Sequence, residues 1–420
     1  MNNTIRVIGL GAASALVGGV LVAGAPTASA DDVNIAPLRT IKGPVNTQLS
    51  NPLGVYVGAN GKIHVSNFGN GSITVFGAGA NGDVPPERRL AGGNTGISAP
   101  RYIAADSAGF TWLANSTAVA TNRVLAFGPT ADGNVAPDGN FNPGFTPFGI
   151  VIDKAGKVNV SNGANEVRVF PTSAAGSPAA ERTITSTQLT NARGLAVDGS
   201  NRLWVANGSG DSVVAFAPGA SGNATPVRQI KGPSTQIQFA SDVAVDSVGR
   251  VYVADETSKT IKVFGANANG DVAPLKSLGG PAAALNLPAG VAIGAGNAIV
   301  VADYGGNDIS TFKSLFAVPV SSLKVPGKPR ALKVAGARGA KTRKVTWRAP
   351  AFNGGAKITG YRLVVKKGSR TLLTKNLGPN KRSFKLKRSK LRNGKNVVFV
   401  KAKNVKGFGK NAKKSFRVRK

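Results

Sequence analysis

From about residue 50 to residue 312 the chain consists of short apolar runs alternating with polar positions, separated by Gly-rich turns. A period of two with frequent turns predicts β-strands. The runs recur in sets. One closes on phenylalanine six times, at Phe76, Phe127, Phe170, Phe216, Phe264 and Phe312, at intervals of 43 to 51 residues. Before each lies a run ending in Asn or Asp, at Asn67, Asn115, Asn162, Asn207, Asp255 and Asp303. Before that lies a small apolar run, beginning near Gly54, Tyr102, Gly149, Gly194, Asp242 and Gly290. A fourth run follows in five sets: PERRLAG from Pro86, PDGNFNP from Pro137, AERTITS from Ala180, PVRQIKG from Pro226 and PLKSLGG from Pro274. Turns such as Asn81-Gly82, Asp132-Gly133 and Asn269-Gly270 join the third run to the fourth.

Four strands repeated around an axis predict a β-propeller. A lone four-stranded sheet cannot bury both faces, whereas a ring of such sheets covers each with its neighbour. The sixth set lacks a fourth run. PLRTIKG, from Pro37 to Gly43, matches PVRQIKG, from Pro226 to Gly232, at Pro, Arg, Ile, Lys and Gly. The early segment is therefore expected to supply the outer strand of the last sheet. Units such as GLAVDGSNRLWVANGSGDSVVAF and DVAVDSVGRVYVADETSKTIKVF resemble NHL repeats, over roughly Asp31 to Val318. The resemblance implies a six-bladed propeller and leaves function open, because such folds host binding and catalysis alike.

The pattern changes after a linker at 319–328. The segments VTWRAP, NGGAKITGYRLVV and VKAKNVKGFG in 329–420 resemble a bacterial fibronectin type III domain, an immunoglobulin-like β-sandwich. The resemblance implies Trp347 as the core tryptophan, Tyr361 as a sheet tyrosine and Asn404-Val405-Lys406-Gly407 as a late turn. Where the family carries a corner tyrosine, this chain has Asn396 or Val397.

Charge sharpens the boundary. The chain has 53 Lys plus Arg against 19 Asp plus Glu, a net +34. From Pro326 to Lys420 there are 31 bases and no acid, so the preceding part is near neutral. Strand alternation predicts a sandwich face with rows of cations: Lys381, Arg382, Lys385, Lys387, Arg388, Lys390, Arg392, Lys401 and Lys403. Surfaces normally mix both signs, so this excess points to an anionic cell-wall polymer or another polyanion.

The first thirty residues read as an export signal. Arg6 precedes an apolar run from Val7 to Ala25, and Ala28-Ser29-Ala30 is a small-residue cleavage box. This pattern favours secretion, with cell-envelope association, over retention as an anchor. The chain has no cysteine, which excludes disulfides, thiol nucleophiles and thiolate metal sites.

No catalytic residue, metal ligand or cofactor is expected. The one histidine, His64, shares its slot with Trp112, Asn159, Trp204, Tyr252 and Val300, which marks a blade-packing or surface position and not a catalytic one. One histidine excludes a multi-histidine metal site. Asp106, Asp153, Asp198 and Asp246 each precede a turn and are expected to cap it. A protein, peptide or glycan ligand is expected at loops on one end of the ring, at Arg101, Tyr102, Phe148, Arg193, Phe68 and Tyr304. The chain therefore reads as a secreted, non-enzymatic binding or scaffold protein. The alternative is an extracellular propeller hydrolase or lyase.

Overall fold

A computed structural model describes residues 31–116, 122–316 and 323–419. The export signal, the start of the linker and Lys420 lie outside the described residues. Among the described residues there is no α-helix, only strands and short 3-10 turns.

Six antiparallel sheets follow one another along the first part of the chain. The first comprises Pro52–Val57, Ile63–Asn67, Ser72–Phe76 and Arg88–Leu90, in that spatial order. The next four repeat this plan, with inner strands Pro100–Ala105, Ile150–Ile152, Ala192–Val197 and Ala240–Val245. The sixth holds Pro288–Ile293, Ile299–Asp303 and Asp308–Phe312. Neighbouring inner strands pack on one another all the way round, the sixth against the first. The arrangement is a β-propeller. Each repeated phenylalanine lies at or one residue before the end of a third strand and is fully buried. A fully buried aromatic of this size contributes about 2–3 kcal/mol by leaving water.

The missing strand of the sixth sheet comes from the early segment. Arg39–Ile41 pairs antiparallel with Asp308–Phe312, aligning Ile41 with Ile309. Ile41 is buried. A second link was not foreseen from the sequence. Asp31–Val33 pairs in parallel with Lys276–Leu278, the outer strand of the fifth sheet. Elsewhere this place is taken by the turn between third and fourth strands. Gly82, Gly133, Gly176 and Gly270 bridge in parallel to Ile41, Leu90, Phe141 and Ile230 of the preceding sheets, and Gly222 to Ile184 does the same.

The side chains beside those glycines repeat the logic. Asn81 Oδ1 accepts from Thr40 N, Asp132 Oδ1 from Arg89 N and Asn269 Oδ1 from Gln229 N. Asp83, Asn134 and Asp271 accept from backbone amides of Asn46, Asn94 and Ser234 in the same way. In the last gap Asn34 plays that part, accepting from Ala282 N at 2.7 Å. The outer rim is therefore one continuous belt, completed only by the early segment.

Residues 330–418 form two facing sheets, one of Arg330–Ala335, Thr342–Arg348 and Ser383–Lys387, the other built on Gly360–Lys367, Arg370–Leu377, Gly394–Asn404 and Ala412–Val418. They enclose one core containing Trp347, Tyr361, Leu363, Leu386 and Val400. Asn396 is fully buried. Its Nδ2 donates to Arg392 O at 2.7 Å and to Gly394 O at 3.1 Å, back-bonding to the preceding turn. Asn404 Oδ1 accepts from Lys406 N and its Nδ2 donates to Lys324 O and Asn353 O, so it fixes the late turn.

Deleting Asp31–Gly43 removes both rim ladders and the buried Ile41. Summed over that burial and the lost backbone bonds the expected cost is about 5 kcal/mol. In a domain of this size that lowers the melting temperature by on the order of 10 °C. A melting curve of the deleted chain that superimposes on the full chain would refute closure by this segment.

Candidate functional site

Near the start of each inner strand lies a residue that packs against the adjacent sheet. In four sheets this is glycine: Gly54, Gly149, Gly194 and Gly290. The backbones approach too closely there for a side chain. A Cβ at Gly290 would collide with Leu53 O, and one at Gly149 with Arg193 O. In the second and fifth sheets the position holds Tyr102 and Asp242. Pairing registers slip at this point in both strands, a bulge that re-aims side chains. Both residues join the wall of the central space, about 240 Å³ and otherwise lined by Val, Ile, Leu, Ala and Tyr56.

Tyr102 reaches across this space. Its hydroxyl lies 2.7 Å from Ser241 O and 2.9 Å from Ala289 O, in the fifth and sixth sheets. Burial raises its pKa well above the usual phenol value. Asp242 is buried, and its two oxygens accept from Val243 N and Val291 N. Desolvation nevertheless raises its pKa to about 8, so the carboxyl is protonated at neutral pH.

At this mouth of the channel the residues singled out in the sequence come together. The Arg101 guanidinium carbon lies 4.2 Å from the Phe148 ring centroid and 5.4 Å from that of Phe68. Arg193 lies 4.6 Å from Phe148 and 4.8 Å from Phe239. Phe68 and Tyr304 rings are 6.5 Å apart, and Tyr102 and Phe148 rings 5.9 Å. Each guanidinium sits in cation–π contact with two rings.

The two arginines differ in one respect. Arg193 Nη2 donates to Glu256 Oε1 at 3.2 Å. Arg101 has no carboxylate or hydrogen-bond acceptor among the described residues; the Nε atoms of both arginines are buried and unpaired. Burial, then repulsion from Arg193, lowers its pKa.

Serines missed in the sequence position both arginines. Ser66 Oγ donates to Arg101 O and accepts from Gly54 N. Ser161 Oγ donates to Arg193 O at 2.7 Å and accepts from Gly149 N. Each serine thus ties its own inner strand to the arginine strand of the next sheet. The sequence signal was the alternation of Ser66, Ala114, Ser161, Ala206, Ala254 and Ala302 at one register. Phe239 was also missed, because nothing in one strand reveals its partner in the neighbouring sheet.

The acids have structural partners. Asp106, Asp153, Asp198 and Asp246 each accept two backbone amides of the following turn. In three of them the second oxygen also accepts from the second strand's aromatic: Trp112, Trp204 or Tyr252. Asp255 and Asp303 hold the loops entering their sheets, and Lys262 Nζ neutralises Asp255 at 2.8 Å with both side chains buried. In the first sheet Gly58 replaces the turn aspartate, and His64 packs edge-on against Tyr56. Burial lowers the His64 pKa to about 4, so it is neutral. Among the described residues no three His, Cys, Asp or Glu side chains converge.

The second domain departs from the single basic face expected. Lys385 and Lys387 lie on the three-stranded sheet, while Lys401 and Lys403 lie on the opposite one. Alternation fixes in from out along a strand but not which sheet the strand joins. On the second sheet Phe408 gathers Arg362, Lys401 and Lys403 at 4.2, 4.9 and 5.5 Å from its ring. Arg382 is engaged elsewhere, donating to Pro379 O and Lys381 O and lying over Tyr361. Lys381, Lys390 and Arg392 are exposed. Lys387, Arg388 and Arg392 border a groove of about 820 Å³ together with Lys341 and Lys367, two cations the sequence did not single out.

No family model matches the chain, and no curated protein does. Solved structures resemble it at low identity. One is the extracellular domain of a hybrid two-component system from B. thetaiotaomicron, 14% identical, covering 89% of this chain with a TM-score of 0.43. This chain spans 56% of that one. Another is a catalytically inactive virginiamycin B lyase from Staphylococcus aureus, 14% identical, covering 74% of this chain and 96% of that one, TM-score 0.45. A third is an aldose sugar dehydrogenase from Streptomyces coelicolor, 18% identical, covering 66% and 98%, TM-score 0.46. At these values none carries an argument about activity.

Asp242 gives the ring a pH dependence. Its folded pKa, about 8, is above the ordinary carboxyl value, so the folded state keeps a proton the unfolded state releases. Stability therefore falls as pH rises from about 4 towards 8 and levels off above that. The slope reaches about 1.4 kcal/mol per pH unit. Below pH 6.5 His64 acts in the opposite sense, since the unfolded state takes up its proton first. Between pH 6.5 and 8 Asp242→Asn is expected to flatten the decline, read from denaturant melts of the ring. An identical slope in wild type and variant would mean that the carboxyl is already ionised.

Proposed function

We propose that the chain is a secreted, non-enzymatic binding protein: a six-bladed, NHL-type propeller joined to a basic fibronectin type III-type sandwich. The sandwich attaches to anionic cell-envelope polymers, and the propeller engages a protein, peptide or glycan. The observation that carries this reading is the groove bordered by Lys341, Lys367, Lys387, Arg388 and Arg392, in a domain without a single acid.

The domain holds like charges at close range. Lys344 stands directly opposite Lys385 across the strand pair, and Arg362 opposite Lys401. Such pairs are destabilising, and a polyanion lying along them offsets the repulsion. Linear phosphodiester or carboxylate polymers suit spaced lysines because they need charge neutralisation rather than a shaped pocket. A non-enzymatic role is supported by the ring's acids, most of which are engaged with backbone amides, arginines or lysines, and by a buried, neutral His64.

Cosedimentation with purified bacterial walls tests the attachment. Binding is expected to weaken at least about tenfold between 50 and 200 mM salt. It should also weaken in the Lys387→Glu, Arg388→Glu, Arg392→Glu triple variant. Retention unaffected by salt, or equally strong on walls stripped of anionic polymer, would rule out electrostatic attachment.

A further inference from the structure

We propose that Arg101 is the anchor of a carboxylate-binding site at the propeller mouth, its guanidinium clamping one carboxylate between the Phe68 and Phe148 rings. This rests on the reading of the propeller as a binding domain and adds the chemistry of what it binds.

Three observations carry it. First, Arg101 is the unneutralised cation of the cluster. Arg193 is paired with Glu256, whereas Arg101 has no acceptor among the described residues; a buried, unpaired Nε is common to both. A half-buried guanidinium with unmet donors is costly unless a ligand supplies the acceptors. Second, the site is held in place. Ser66 fixes the Arg101 carbonyl from the preceding sheet, Tyr102 locks the same strand across the ring, and two aromatic rings flank the guanidinium. An arginine so restrained loses little further freedom on binding. Third, the local charge selects the ligand class. The Arg193–Glu256 pair is neutral as a unit, which leaves a net charge of one at Arg101. A monoanion balances that charge. A phosphate dianion would leave an excess negative charge beside Glu256. The flat guanidinium presents parallel N–H donors that match the two oxygens of a carboxylate, and the flanking rings hold its plane.

A carboxylate at this place comes either from a peptide or from an acidic sugar, and the test separates them. The full chain in 300 mM NaCl, which screens the basic sandwich, is titrated calorimetrically with N-acetylphenylalanine, with its amide, and with glucuronate. The expected result is one saturable site for a free acid and none for the amide. Affinity should fall about tenfold or more in Arg101→Ala, with a smaller loss in Arg101→Lys, which keeps the charge and the fold but not the fork. The triple sandwich variant Lys387→Glu, Arg388→Glu, Arg392→Glu should bind as wild type. Binding of N-acetylphenylalanine alone assigns a peptide source, and of glucuronate alone a glycan source. Equal binding of acid and amide, lost in Phe148→Ala, would keep the propeller as a binding face and overturn the carboxylate clamp. Unchanged affinity in both Arg101 variants, or no binding of either acid, would overturn it as well.

Discussion

Everything in the first domain depends on closure of the outer rim. A four-stranded sheet leaves both faces and its outer edge open, and a ring solves the faces automatically but not the rim. Here five of the six outer strands pair with a glycine turn of the next sheet. Four such contacts arise from the repeat itself, and a fifth joins Ile41 of the early segment to Gly82. The sixth cannot, because the last sheet has no turn in that position. Asp31–Val33 takes its place, with Gly279 N donating to Val33 O at 3.1 Å, and Asn34 serves as the capping side chain. The chain's early segment therefore closes the ring twice, once as a strand within the sixth sheet and once as a substitute turn against the fifth.

Closure fixes the inner strands, and these in turn make the mouth. Four glycines let the backbones approach at the axis, and the resulting hole is too small for six side chains. Two side chains fill it from opposite parts of the ring. Tyr102 crosses to two carbonyls, and Asp242 satisfies two amides, so the plug is polar at its hydrogen-bonding atoms and apolar in its walls. The arginines sit one residue earlier on the strands of Tyr102 and Gly194. They are aimed by the same bulged geometry and held by serines on adjacent sheets. Axis packing and the charged mouth are consecutive positions of one strand, which is why a change at Gly149 or Gly194 would disturb both.

The repeat was readable because phenylalanine, aspartate and glycine recur at fixed places with fixed roles. The outer strand at Arg39–Ile41 was readable from its likeness to Pro226–Gly232. The pairing of Asp31–Val33 was not, since two unlike segments, DDV and a glycine turn, do the same job through backbone atoms alone. The mouth was readable as a set of loops but not as a circuit. Periodicity places Arg101 and Phe148 at the same end of adjacent sheets, yet it cannot say that Arg193 meets Glu256 while Arg101 meets no acid. In the sandwich, alternation correctly turned Val398, Val400 and Ala402 inward. It did not reveal that Lys385 and Lys401 lie on opposite sheets, because sheet membership is set by long-range pairing.

That division of the lysines bears on how the sandwich works. A single basic face would bind one polymer from one side. In the proposed attachment, cations on both sheets, with a groove between Lys341 and Arg392 and a second cluster around Phe408, would let a flexible anionic chain contact the domain from several directions. The core of this domain is made of side chains such as Trp347, Leu363 and Val400 and owes nothing to ion pairs, since the domain contains no acid to form one. Its fold is therefore insulated from salt in the attractive sense. Added salt only relieves its internal repulsion, whereas the same salt weakens any polyanion complex. Stability and the proposed attachment are therefore expected to respond to ionic strength with opposite signs, which separates a loss of binding at high salt from unfolding of the sandwich.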